Sequence, residues 1–369
     1  MPGGSPGPFW ARRPSRPRRG LGAAPPVGGP VDAVRWVLVR AAAAAAAIVI
    51  MVTIGGFLLS RQASGAAAPW AKSTGHDALW LGHAWLDGGT GGQAGQRGPS
   101  ALTALAGRIR ASGITDVYVQ AGPLDGAGRL DPAQYAGAPA FLASFRAALP
   151  HVRVSAWLGG NAGPGQLNLD DAATRRTIVA SAAAVRHAGF AGISYNLVPV
   201  ASGDRGLLSL LDATRALHPA VLSVTAPKIE PLSGMKLPAS LVLRRPAFWT
   251  TGYLAEVASR VSQVAVLSYD TGMPFPSWYS GYEAREAALA LSTVPPGAGL
   301  IMGVPAFAGS TLGHHGSAET VTAAIHGIRV ALTSSHQRPS RIGVGLYTAD
   351  TATAADWSSY QSDWVHPSP

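Results

Sequence analysis

Two hydrophobic patterns divide the chain. Ala41 to Leu59 is one run of 19 uncharged residues: seven Ala, then Ile48-Val49-Ile50-Met51-Val52, then Thr53 to Leu59. At about 1.5 Å per residue it reaches roughly 28 Å, close to the ~30 Å of a bilayer core. From about residue 77 the pattern changes. Short apolar runs end in polar residues or glycine, and each is followed by a stretch rich in Ala, Leu and Arg.

The apolar runs predict strands at Ala78–Trp85, Thr115–Ala121, Arg153–Leu158, Gly192–Val198, Leu222–Ala226, Gln263–Tyr269, Gly299–Val304 and Arg341–Tyr347. The stretches between them predict helices at about 100–112, 138–149, 171–187, 205–217, 253–261, 281–293, 317–334 and 353–361. Ser100, Asp170, Asp204 and Ser317 stand where N-caps belong, and Gly113, Gly189 and Pro219 where helices stop. Strands that alternate with helices form a parallel sheet, because each crossover must pass over a sheet face. Eight such units over residues 77–365 predict an α/β protein of the closed (β/α)8 TIM-barrel type. An open doubly wound sheet is the alternative. It calls for a G-x-G-x-x-G turn opening the first helix, and Gly88-Gly89-Thr90-Gly91-Gly92 does not supply one.

Charge sets the orientation of the apolar run. Residues 1–61 carry eight Arg against the single acid Asp32, which is +7 of the formal net charge of +10. Seven of those Arg precede the run. The positive-inside rule therefore predicts a cytoplasmic N-terminus, a single-pass helix in the cell membrane and an extracytoplasmic C-terminal domain. A cleaved signal peptide is the alternative, with Ala66-Ala67-Ala68 as its small-residue site; the long basic region favours an uncleaved anchor. The organisation expected is a disordered basic tail over 1–34, a transmembrane helix over 35–60, a linker over 61–76 and the barrel over 77–365. The barrel region is nearly balanced in charge, so no nucleic-acid partner is expected; the lipid bilayer is one. The chain has no Cys, which excludes disulfides, thiolate metal sites and a Cys nucleophile.

A barrel of this type works at the C-terminal ends of its strands. Those ends offer His83, Trp85 and Asp87; Tyr118, Gln120 and Asp125; Trp157 and Asn161; Ser194, Tyr195, Asn196 and Asp204; Lys228 and Glu230; Tyr269 and Asp270; Tyr347 and Asp350. Flat aromatics stack on sugar rings, amides bond hydroxyls, and carboxylates do the acid–base work of glycoside cleavage. Asp270 is the foremost carboxylate, because it ends the apolar run Val264-Ala265-Val266-Leu267-Ser268-Tyr269. Asp204 reads first as an N-cap and second as an acid supplied from another strand. Adjacent His314 and His315 point apart and show no third ligand in sequence, so no metal is expected, and no nucleotide or cofactor motif is present.

Two stretches resemble the chitinase-like glycoside hydrolases known as family 18, which are (β/α)8 barrels. One is the Tyr-Asp pair that closes Leu267-Ser268-Tyr269-Asp270. The other is Gly189-Phe190-Ala191-Gly192-Ile193-Ser194-Tyr195-Asn196-Leu197-Val198, similar to the family's strand-four motif D-G-x-D-x-D-x-E. The frame Gly189, Phe190, Gly192 and Ile193 is kept. Ala191, Ser194 and Asn196 stand at the Asp positions, and Val198 at the Glu that serves the family as general acid. The resemblance implies that Tyr269 and Asp270 help hold a substrate acetamide and that Val198 has no proton to give. The expected function is a glycoside-hydrolase-like protein acting on a cell-envelope or extracellular glycan, N-acetylated glycans included. The catalytic candidates are Asp270, Tyr269 and Asp204; the binding candidates are His83, Trp85, Gln120, Trp157, Asn161, Tyr195, Asn196, Glu230 and Tyr347. A non-catalytic glycan binder and a purely structural envelope protein stand beside it.

Overall fold

The computed structural model describes residues 30–87, 98–163, 165–230, 248–311, 313–335 and 341–368. Most of the basic tail and the glycine run after the first strand lie outside them. Eight parallel strands close in sequence order: β1 (Asp77–Leu81), β2 (Ile114–Pro123), β3 (Arg153–Asn161), β4 (Gly192–Val198), β5 (Val221–Ala226), β6 (Gln263–Leu267), β7 (Gly299–Pro305) and β8 (Ile342–Tyr347). Closure is made by Ala78 and Leu79 of β1 against Gly345 and Leu346 of β8. The open-sheet alternative is thereby excluded. Buried runs such as Val221–Ala226 form these strands because helices cover the outside while side chains fill the lumen.

The helices are α1 (Pro30–Gln62), α2 (Pro99–Arg110), α3 (Ala138–Ala148), α4 (Ala172–His187), α5 (Arg205–Arg215), α6 (Thr251–Ala258), α7 (Pro276–Thr293), α8 (Val321–Ser334) and α9 (Ala354–Ser359). Several predicted ends move. β1 stops at Leu81 and gives way to a 3-10 turn over His83–Trp85. Asp171, not Asp170, caps α4 by accepting the N–H groups of Ala173 and Thr174. Thr320, not Ser317, caps α8. α2 starts on Pro99, with Gly98 rather than Ser100 at its N-cap position. For α4 and α8 the pattern marked the boundary and a side-chain hydrogen bond chose the residue.

α1 begins at Pro30, ahead of the predicted 35. Among the described residues no helix is long and apolar enough to cross a membrane. The side chains at 45, 47–49 and 51–52, inside the predicted span, are outside the described set. The segment predicted as a linker is docked rather than loose. Ala71 is fully buried and accepts a bond from Arg329 Nε at 2.8 Å, while Ala68 N–H donates to Thr333 Oγ1 at 2.8 Å.

This docked segment leads into Asp77, a buried carboxylate at the start of β1. Ser73 Oγ and Tyr360 Oη donate to its Oδ2 at 2.6 and 2.7 Å; Trp364 Nε1 and Val344 N donate to its Oδ1 at 2.8 Å each. The C-terminal turn over Tyr360–Val365 is thus tied to the first strand. The neighbouring strand starts carry a bidentate pair, Arg153 Nε and Nη2 to Asp116 Oδ1 and Oδ2 at 2.9 and 2.8 Å.

Candidate functional site

Strand alternation decides which side chains reach the lumen. Trp80, Tyr118, Trp157, Ala265 and Ile301 meet there, with Leu267 and Tyr347 packed against them. Gly345 makes room for the Trp80 ring: a Cβ at that position would collide with it. Trp80 and Tyr118 have centroids 4.9 Å apart, and Tyr118 Oη donates to Gln263 Oε1 below.

Above this layer Tyr347 joins the rim. Its ring lies 5.8 Å from Trp80, 5.9 Å from Trp157, 5.3 Å from Tyr269 and 6.4 Å from Phe307. Burial, then the neighbouring Tyr347 and Asp270, holds the Tyr269 phenol well above its ordinary pKa, and burial with Asp270 raises Tyr347. Both phenols are therefore protonated at neutral pH and offer donors, not bases.

The β3–β4 side is polar. Trp157 is paired in register with Ser194, and Asn196 with Gly159. Gly159 leaves open the space next to the indole, since its absent Cβ would lie 3.9 Å from Trp157 Nε1. Among the described residues, Trp157 Nε1 and Asn196 Oδ1 are buried atoms without a hydrogen-bond partner, as are Ser194 Oγ and Thr225 Oγ1 on the same stretch of wall. Buried polar groups in folded proteins are nearly always paired, so this concentration of such atoms singles out the wall.

Not every predicted contact lies here. Tyr195 points away from the lumen, because it has opposite parity to Ser194 and Asn196; it is fully buried, and its hydroxyl bonds Thr214 Oγ1 of α5 at 2.8 Å. It is a packing residue, not a ligand contact. Asp204 caps α5, accepting Leu207 N–H at 2.8 Å. Trp85 packs on Phe141 of α3 at 6.0 Å and donates Nε1–H to Asp350 Oδ1 at 3.1 Å. His83 touches the end of β2, with Nδ1 3.2 Å from the Gln120 carbonyl and Nε2 2.9 Å from Asp87. Asn161 closes a turn by accepting Gly163 N–H. Glu230 is half-buried, and its backbone N–H bonds the Trp249 carbonyl at 3.1 Å. Gln120 shares the lumen parity of Tyr118 and is half-buried.

Asp270 stands just past β6, its side chain 52% exposed and its φ at 57°. The left-handed backbone, which Asp tolerates better than most residues, turns the carboxylate toward the β7 loop. His314 waits there, 2% exposed, with Nδ1 3.2 Å from both Asp270 Oδ1 and Glu319 Oε2. The expectation that His314 lacks partners for a ligand set is overturned: the other two groups come from a different strand end and from five residues downstream. Phe307, after β7, was also outside the predicted set; its ring links His314 at 4.4 Å to Tyr269 at 5.7 Å. A cavity of about 340 Å³ lies elsewhere, among helices, lined by Ser60, Ala63, Ser280, Ala323 and His326.

No protein-family model and no curated protein matches the chain by sequence. Solved structures do match it by shape. The spore cortex-lytic enzyme SleL of Bacillus cereus aligns with TM-score 0.53 and 12% identity over 79% of this chain and 74% of its own. A mutant class V chitinase from the plant Cycas revoluta, in complex with (GlcNAc)3, aligns with TM-score 0.51 and 13% identity over 78% and 98%. A class V chitinase from Pseudomonas fluorescens Pf-5 gives the same values. The barrel over β1 to β8 therefore has the fold of the chitinase-type glycoside hydrolases.

Proposed function

We propose that this chain is a single-pass membrane protein with a cytoplasmic N-terminus, whose extracytoplasmic barrel binds an N-acetylated glycan of the cell envelope or its surroundings. The observation that carries the binding is the pair Trp157 Nε1 and Asn196 Oδ1, a donor and an acceptor buried at the strand ends with no partner among the described residues. A sugar acetamide or hydroxyl supplies both missing partners, and the rings of Trp157, Tyr269 and Tyr347 give a sugar its apolar face. The chitinase bound to (GlcNAc)3 among the proteins of similar fold supports the choice of an N-acetylated glycan. The apolar run from 41 to 59, covered by α1, and the Arg excess before it support the anchor.

Binding without chitinase-type cleavage is the form favoured. By the resemblance, the proton donor's place is Val198, the last residue of β4, apolar and 43% exposed. General acid–base help is worth about 10²–10⁴ in rate, and that much is missing from the mechanism. A hydrolase with its acid placed elsewhere is the second reading, and the half-exposed Asp270 beside Tyr269 is what favours it.

Calorimetric titration of N-acetylglucosamine oligosaccharides into the detergent-solubilised full chain tests the reading. Saturable binding is expected, weakened about tenfold in Asn196→Ala, the size of one lost buried hydrogen bond. Absence of saturable binding for every oligosaccharide overturns it.

A further inference from the structure

The rim holds a second constellation, which shares only Asp270 with the glycan readings. Asp270, His314 and Glu319 each offer one ligand atom, the three atoms lying within 4.8 Å of one another. We propose that they bind one divalent transition-metal ion of the zinc type, which clips the end of β6 to the loop after β7.

The geometry around His314 carries this. Its side chain is buried, and Nδ1 sits 3.2 Å from a carboxylate oxygen on either side. Neither approach has the direction of a hydrogen bond, and among the described residues both ring nitrogens are without one. One N–H set midway between two acceptors aligns well with neither. A metal ion can meet all three atoms: bonds of about 2.0–2.2 Å in a tetrahedron space the ligand atoms roughly 3.3 Å apart. One imidazole and two carboxylates are a borderline-to-hard set that suits zinc and its first-row neighbours and argues against calcium, which takes oxygen alone.

The surroundings hold the ligands in place. Glu319 accepts N–H bonds from Thr271 at 3.1 Å, Gly272 at 3.0 Å and His315 at 3.4 Å, so its carboxylate is fixed. Gly272 N–H also donates to the Gly313 carbonyl at 2.9 Å, and Thr311 bridges His314 across a tight turn. Phe307 stacks on the imidazole, 31° from parallel. Such outer contacts orient metal ligands in known sites. Two carboxylates that face one imidazole nitrogen give a cation two oxygen ligands at the same point. Asp270 is the exposed member, so ion entry and any open coordination position face the mouth.

The test is independent of the glycan reading. The chelator-stripped full chain is titrated with Zn2+ by calorimetry, and its thermal midpoint is followed in parallel. One ion per chain, a raised midpoint and little response to Ca2+ are expected. His314→Ala and Asp270→Asn should each weaken Zn2+ binding beyond the roughly 10–100-fold that losing an outer partner costs, while His315→Ala leaves it unchanged. Asp270→Asn, at a half-exposed position, keeps the fold and covers the case in which His314→Ala does not. No bound Zn2+, or the same affinity in Asp270→Asn as in wild type, overturns the proposal.

Discussion

Tyr347 stacks on Tyr269 with ring centroids 5.3 Å apart and planes 29° from parallel. That contact joins the ends of β8 and β6 across β7 and gives the rim an aromatic floor. Tyr347→Ala removes a ring that touches Trp80, Trp157, Tyr269 and Phe307. The fold should lose less than the about 3–5 kcal/mol of a fully buried aromatic, because Tyr347 is half-buried. Glycan affinity should fall with it, whereas Tyr347→Phe keeps the stability. Urea unfolding of the two variants reads the difference.

Asp204 separates capping from catalysis. Its carboxylate accepts Leu207 N–H at the start of α5. Asp204→Ala should cost about 0.5–2 kcal/mol and leave glycan binding and any turnover as they are. A loss of turnover larger than the loss of folded protein would return Asp204 to the chemistry.

Two acids lie fully buried on α7, Glu283 and Glu286. Burial raises both pKa values, Glu286 to about 8 and Glu283 well above the ordinary carboxylate range, where Glu286 adds to the effect. The folded state therefore keeps protons that the unfolded state releases above its ordinary carboxylate pKa. Their stabilisation is complete below that value and is lost as pH rises toward about 8, by roughly 1.4 kcal/mol per pH unit for one group. Urea midpoints measured from pH 5 to 8 should fall in wild type and fall less steeply in Glu286→Gln. An unchanged slope in the variant would show that Glu286 does not hold the proton.

Trp364→Phe deletes one N–H and replaces the fully buried indole by a smaller ring, so a packing loss adds to the lost bond. Asp77 Oδ1 then keeps Val344 N–H alone of its two donors. A buried acceptor short of one bond costs about 1–3 kcal/mol, and chemical denaturation of the variant measures it.

Val198→Glu places a proton donor at the last position of β4. Hydrolysis of N-acetylated oligosaccharides only in the variant is the outcome for a binder derived from a chitinase-type enzyme. Activity already in wild type, abolished by Asp270→Asn, would favour the hydrolase reading.

The barrel was legible because its signals are local and repeated. Eight buried apolar runs with capped helices between them leave few arrangements, and Gly189, at φ 107°, stops α4 where the pattern said it would. The site was legible only in part. Trp157, Asn196, Tyr269 and Tyr347 fall at strand ends and share lumen parity or rim position, so a period of two finds them. Tyr195 fails the same rule, being one residue out of phase. His314 and Glu319 were hidden for another reason: they meet Asp270 only when two loops close, a relationship between β6 and β7 that no spacing encodes. Phe307 belongs with them, since nothing before closure shows that the residue after β7 faces Tyr269.

The most direct measurement concerns the Trp157 indole. Trp157→Phe identifies the Nε1–H resonance, which is then followed in the full chain as an N-acetylglucosamine oligosaccharide is added. With the glycan at the rim, this resonance shifts and its exchange with solvent slows at saturation. Saturable binding that leaves the Trp157 signal unmoved would place the glycan away from the rim and contradict the account.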